Sequence, residues 1–269
     1  MSSDAPTSEA TESPDPDEST STPTETSTVT SKKQRWFPLE SNPALLNAYM
    51  DKLGFQSSLF SLADVYSTED WALQMIPQPT IAVIFLYPLT PELAKQRPGT
   101  SSVHQSSAQD LWFVKQRIGN ACGTIGILHA LLNSGTAFDM AVRPDSWLAT
   151  FAMQTRDKSP IQRAELLEAD PVIATLHDQA THDSSNQTSR GNLEDKVLTH
   201  FVAFIQHNNT LYELDGRQGG PIDHGTIPSD TNLLASACQI IQSEFMAKAA
   251  PGEMRFTILA LAPKQDDFA

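Results

Sequence analysis

Residues 199–216 read THFVAFIQHNNTLYELDG, and this stretch decides the fold. Two runs rich in β-branched, aliphatic and aromatic residues, Thr199 to Gln206 and Leu211 to Gly216, flank Asn208-Asn209. Asparagine tolerates the positive φ that tight hairpin turns demand, so the stretch predicts an antiparallel hairpin. His200 opens the first strand and Asp215 closes the second. Pairing Gln206 with Asn209, or His207 with Thr210, sets residues 200 and 215 directly opposite or on a diagonal. The pairing sums of these registers differ by two, so either one keeps both side chains on the same face. A histidine–carboxylate pair follows, either as a buried structural pair or as the base and orienting group of a nucleophilic site.

Working outward, Ile81 to Tyr87 is a continuous apolar run bounded by Pro79 and Pro88. It reads as a buried central strand. Arg255 to Ala262 reads as the final strand. Asn42-Pro43 starts a helix, since Asn caps and Pro fits a first turn that needs no amide donor. Leu45, Leu46, Tyr49 and Leu53 follow at helical spacing, and Gly54 stops the run. Gly123 to Leu132 reads as a helix with Ile125, Leu128 and Leu132 inward and His129 at the core edge. Ser159-Pro160 starts another, through Leu166-Leu167. Thr231 to Lys248 reads as an amphipathic helix through Leu234, Ala237, Ile241 and Phe245. His177 to Asp195 is polar, with Leu193 its one branched aliphatic residue, and reads as a long loop that includes His177 and His182. The whole is a mixed α/β domain over residues 35–265, with a mostly antiparallel sheet flanked by helices.

Residues 1–31 hold 16 Ser/Thr, 4 Pro and 7 acidic residues with no Lys or Arg. Such a segment buries too little apolar surface to offset its ordering entropy, so it reads as a disordered acidic tail. It carries half of the net charge of −14, leaving 25 acidic against 18 basic residues, or −7, from residue 32 onward. That balance argues against nucleic acid, which needs a basic surface. No run approaches a membrane span, and the N-terminus has no basic start followed by an apolar segment. A cytosolic location is expected, with a nuclear one also open. With Cys122 and Cys238 the only cysteines, a disulfide framework is excluded, and neither metal nor cofactor is expected.

Cys122 lies in QRIGNACGTIG, residues 116–126, at a loop-to-helix junction. The positive end of the helix dipole favours its thiolate there, and the flanking glycines allow close backbone approach. From these residues alone Cys122 is either a buried structural cysteine or a nucleophile. Cys238, on the apolar face of its helix, reads as inert.

The chain resembles the ubiquitin C-terminal hydrolase family of cysteine proteases. The matching blocks are RWFPLESNP (35–43), DVY (64–66), KQRIGNACGTIGILHA (115–130), THF (199–201) and LYELDGRQGGPIDHG (211–225). The resemblance implies a papain-like catalytic core with a six-stranded antiparallel sheet and a knotted backbone. It implies Cys122 as nucleophile, His200 as general base, Asp215 as the residue orienting that histidine, and Gln116 as an oxyanion-hole donor. It places Asp64 near the bound ubiquitin tail, and Pro38 and Leu39 in a segment that packs on ubiquitin or anchors the first element. Arg117 and Gly119 depart from the family pattern. The segment at about 177–195 corresponds to one that crosses the active-site cleft, restricting substrates to small adducts and short or unfolded extensions. Ubiquitin is the expected partner of a monomer, with the related modifier NEDD8 as a rival substrate and a non-catalytic ubiquitin-binding module as a rival class.

Overall fold

The computed structural model describes residues 34–96, 110–182 and 192–265. Among them are strands β1 (Phe60–Asp64), β2 (Ala82–Pro88), β3 (Thr199–His207), β4 (Thr210–Leu214), β5 (Ile222–Thr226) and β6 (Thr257–Pro263). They form one six-stranded sheet in the order β1-β6-β2-β3-β4-β5, and every neighbouring pair is antiparallel. The expected α/β class with an antiparallel sheet is what the chain adopts. The chain divides at Lys32/Lys33, and the acidic tail read over residues 1–31 lies outside the described residues.

The hairpin takes the register His207↔Thr210, which leaves His200 and Asp215 on a diagonal. Asn208 and Asn209 supply its turn at φ 48° and 61°. β2 and β3 lie at the centre of the sheet and are buried on both faces. Ala82, Ile84, Phe201, Ala203 and Ile205 pack on one side, and Val83, Phe85, Tyr87, Val202 and Phe204 on the other. That two-sided burial is why β2 reads as a continuous apolar run rather than an alternating one.

The helices are α1 (Pro43–Leu53), α2 (Asp70–Leu73), α3 (Pro91–Gln96), α4 (Cys122–Leu132), α5 (Thr136–Ala141), α6 (Trp147–Thr155), α7 (Pro160–Ala169), α8 (Pro171–Thr181) and α9 (Leu233–Ile240). The Asn42 side chain caps the amides of Ala44 and Leu45, and Gly54 ends α1 at φ 112°. Ser159 and Gln162 form a reciprocal capping box on α7. α4 is buried almost all round, which is expected for a helix lying across the sheet under α1 and α8. The single helix predicted over Thr231 to Lys248 is α9 followed by a π-helical turn, Ile241–Met246, that keeps Ile241 and Phe245 inward.

Two readings are corrected. The polar loop does not begin at His177, because α8 continues to Thr181 and His177 is buried inside it. His177 Nε2 donates to the Phe37 carbonyl at 2.7 Å, so Nδ1 accepts from the Thr124 hydroxyl at 2.8 Å. A stack on Trp36 at 4.4 Å completes its surroundings. Polar composition concealed a helix whose inward polar residue is fully satisfied. Residues 183–191 of that loop lie outside the described residues.

His129 is likewise central rather than peripheral. It is fully buried, and its Nε2 accepts the Val114 amide at 3.1 Å. Nδ1 therefore carries the proton and donates to the Leu214 carbonyl at 3.2 Å. One neutral imidazole thus ties the segment before Gln116 to the strand end before Asp215. Burial pushes its pKa down to about 4 from an ordinary 6.5.

The sign of the linkage is clear, because a lowered folded pKa stabilises above pH 6.5 and is lost as pH falls toward 4. We expect chemical denaturation at pH 7 and pH 4.5 to show a loss of which about 2 kcal/mol belongs to this group. His129→Asn should lower stability at pH 7 and flatten that slope. An unchanged slope in the variant would remove His129 from the account.

Candidate active site

Cys122 is the first residue of α4 and only 4% exposed. The chain reaches it by a sharp turn at Asn120, whose φ is 62° and whose Nδ2 donates to the Trp36 carbonyl at 3.0 Å. Amides of a helix's first turn lack intrahelical acceptors, so the Cys122 N–H is open to an incoming oxygen. Glycine at 123 serves packing rather than substrate access. A Cβ there would stand 3.1 Å from Leu39 Cβ and 3.5 Å from Phe201 Cε2.

His200 is fully buried and its Nε2 lies 2.7 Å from Asp215 Oδ1. Tyr87, its cross-strand neighbour on β2, packs edge-on against the ring at 5.7 Å. Asp215 also accepts the Arg217 amide at 2.9 Å. With Nε2 engaged, Nδ1 is the nitrogen left for Cys122; it is buried and closes no hydrogen bond of normal geometry. Burial pushes the Cys122 thiol up, but hydrogen bonding to His200, the imidazole's charge and the Arg217 guanidinium outweigh it, and the thiol titrates below its ordinary range. Burial likewise pulls His200 down, and Asp215 with Cys122 more than reverses it. Both shifts favour a thiolate–imidazolium pair. Cys238 is pushed up to about 12 by burial, so it stays a neutral thiol.

Gln116 sits on the same loop. Its amide donates to the Gly216 carbonyl at 2.8 Å, and its Nε2 donates to the Ile118 carbonyl at 3.2 Å. That bond uses one of two Nε2 protons and fixes the orientation of the amide, since a flipped group would set oxygen against oxygen. Gly216 makes the close approach possible. A Cβ there would fall 2.9 Å from Ile125 Cγ2, 3.0 Å from Gln116 Cβ and 3.2 Å from Gln116 N. Lys115 Nζ donates to the Arg217 carbonyl at 3.0 Å and also to that of Gln218, fastening the turn that follows Asp215. Neither Lys115 nor Gly216 stood out in the sequence, although both lie inside the two most specific blocks.

The remaining residues divide. Asp64 ends β1 in a separate pocket of about 360 Å³, with Tyr66, Met246 and Phe256, that no residue of the cysteine–histidine cluster lines. Burial raises its carboxyl pKa. Pro38 is exposed, whereas Leu39 is buried in the core against α4 and so anchors the segment instead of presenting a side chain to a partner. Among the described residues, no group of three or more His, Cys, Asp or Glu side chains is placed to hold a metal ion.

The sequence model of ubiquitin carboxyl-terminal hydrolase family 1 matches residues 36–247. This chain belongs to that family. It is similar to ubiquitin carboxyl-terminal hydrolase 3 of Arabidopsis thaliana, 35% identical over 237 residues that cover 87% of this chain and 97% of the relative. A ubiquitin carboxyl-terminal hydrolase of Aplysia californica is 38% identical over 221 residues, covering 81% and 98%. Its fold is that of the Trichinella spiralis UCH37 catalytic domain bound to ubiquitin vinyl methyl ester, with TM-score 0.68 at 22% identity, covering 86% and 97%. Membership makes this chain a cysteine-type hydrolase, a class whose chemistry needs an activated thiol.

The electrostatics predict a selective thiol. Iodoacetamide should alkylate Cys122 near neutral pH and leave Cys238 untouched in the folded protein, as read by mass mapping. His200→Asn should move the pH midpoint of Cys122 alkylation upward by a unit or more, on the order of what a lost charge partner causes. A midpoint unmoved in the variant would show that His200 does not control the thiol.

Proposed function

We propose that this chain hydrolyses the bond after the C-terminal glycine of ubiquitin, releasing small adducts and short or unfolded extensions. The observation that carries the reading is the buried His200–Asp215 pair, which leaves the second imidazole nitrogen to a thiol already favoured as thiolate. In the first step Cys122 Sγ bonds to the glycine carbonyl carbon. The charge that develops on oxygen meets the free Nε2 proton of Gln116 and the Cys122 amide. His200 then gives its proton to the departing amine or thiol as the carbon–leaving-group bond breaks. In the second step His200 takes a proton from water, the resulting hydroxide attacks the thioester, and Cys122 leaves as thiolate.

Substrate capture follows the charges. The ubiquitin tail is basic, and Asp64 is a half-buried carboxylate that would regain its ordinary pKa by pairing with a tail arginine. The size limit is what the family resemblance implies for the segment between α8 and β3, of which residues 183–191 lie outside the described residues. The described residues that flank it are tied to the segment before α1: His177 bonds to Phe37, and Asp195 and Glu194 engage Arg35.

Cys122→Ala should reduce turnover of a ubiquitin C-terminal fluorogenic amide below about 1% of wild type while ubiquitin still binds. Ubiquitin vinyl methyl ester should label Cys122 and spare Cys238. A faster reaction with the NEDD8 amide would shift the substrate assignment to that modifier. Binding without turnover of either would make the chain a recognition module. Asp64→Asn should raise KM about three- to tenfold with little change in kcat, since it removes binding remote from the reacting carbon. Gly216→Ala should do the reverse, lowering kcat on the order of tenfold or more through a displaced Gln116.

A further inference from the structure

Beside the cysteine–histidine cluster lies a pocket of about 350 Å³ walled by Gln116 and Asn120 and by three arginines, Arg35, Arg117 and Arg217. Three guanidinium groups around one opening are unusual in a chain with a net charge of −14. Arg117 is committed elsewhere, 3.3 Å from Glu165 and 3.2 Å from Glu168 on α7. Arg35 reaches the Asp195 carbonyl and, at 3.8 Å, Glu194, while its Nε is buried with no acceptor. Gln116 Oε1 is buried there too, as an acceptor without a donor. Arg217 is exposed, and its guanidinium makes no ion pair with any described residue.

What fixes Arg217 is its backbone. Its N–H donates to Asp215 Oδ1 at 2.9 Å and its carbonyl accepts from Lys115 Nζ at 3.0 Å. An unpaired charge is therefore mounted on the turn that orients the histidine, close enough to Cys122 to stabilise a thiolate. The side of the scissile bond it serves follows from charge. The basic ubiquitin tail approaches from the acyl side and would be repelled by a guanidinium. The leaving group must face His200 to receive its proton, and Arg217 is anchored to that histidine's own carboxylate.

We infer that this pocket is a leaving-group site selective for a carboxylate. Arg217 pairs with the carboxylate of a released amino acid, short peptide or other acidic adduct, in a pocket that Arg35 and Gln116 also line. The inference rests on the proposed ubiquitin hydrolase reading and adds to it the chemical class of the departing group. Acidic adducts are favoured, neutral ones tolerated and basic ones disfavoured.

The test compares ubiquitin amide-linked at its C-terminal glycine to alanine with the same conjugate of alaninamide. Substrates differ only in the free carboxylate, and a neutral fluorogenic amide serves as control. The carboxylate-to-amide ratio of kcat/KM is compared between enzymes, so the different basicity of the two leaving amines cancels. That ratio should be about fivefold higher in wild type than in Arg217→Gln at low salt and by less at high salt, as for a charge pair at an open surface. Arg217→Lys should retain most of the wild-type ratio. An equal ratio in wild type and Arg217→Gln, with the fluorogenic amide turned over, would overturn the site alone. Failure of wild type on all three substrates would overturn the underlying reaction, and the site with it.

Discussion

Asp215 is a buried carboxylate, and much of the surrounding structure follows from the fact that such a charge cannot be left alone. An unpaired ion in a protein interior costs several kcal/mol, so each oxygen needs donors at fixed positions. His200 and the Arg217 amide supply them at 2.7 and 2.9 Å. Supplying the first requires a hairpin register of the parity seen in His207↔Thr210, because a slip of one residue would turn His200 to the opposite face. Supplying the second requires the chain to turn back at once, which is where Gly216 and the Lys115 clamp act. The same carboxylate raises the pKa of His200 and opposes the lowering of those of His129 and Lys115. One charge therefore biases the protonation of His200 and of the two residues that hold its strand in place.

The chain also contains its own control for what burial does to a thiol. Cys122 and Cys238 are both buried, and both pay the desolvation cost of ionising. At Cys238 nothing offsets that cost, and the thiol is driven to about 12. At Cys122 an imidazole and a guanidinium more than reverse it. The contrast attributes the readier ionisation of the Cys122 thiol to its neighbours rather than to exposure.

The sequence made legible those parts of the fold governed by local chemistry. Asn42, Gly54, Asn208-Asn209 and Ser159 act through hydrogen bonds and φ angles within a few residues, and each performs its expected task. β2 and β3 were legible because two-sided burial writes a continuous apolar run. β1 and β5 were not read from the pattern. They are short strands at the sheet's margins, each only five residues long, and β5 is entirely half-buried or exposed. α8 as a whole has no reading in the sequence pattern, and its last turns pass for loop because their inward residue is a histidine that only the tertiary structure shows to be satisfied, by Thr124 and Phe37. At the site, the pairing of His200 with Asp215 was derivable from strand parity. The approach of Cys122 to that pair was not, since it depends on packing between α4 and β3, segments some eighty residues apart.

The short segment Arg35 to Leu39 shows why substrate contact and structural anchoring need not compete as explanations. Trp36 donates its amide to the Gly119 carbonyl and accepts the side chain of Asn120, the residue that turns the chain into Cys122. Phe37 receives the His177 proton, and Leu39 fills the space left by Gly123. Trp36 and Leu39 touch the loop or helix that positions Cys122 directly, Phe37 reaches α4 through His177 and Thr124, and Pro38 is the one exposed residue of the five. Anchoring is therefore the task of Trp36, Phe37 and Leu39, and Pro38 is the most exposed residue between them. Two hydrogen bonds, from the Trp36 amide to the Gly119 carbonyl and from Asn120 Nδ2 to the Trp36 carbonyl, join this segment to the turn into Cys122 directly rather than through the sheet. A residue next to an exposed proline thus helps hold the turn before a buried cysteine more than eighty positions further along the chain.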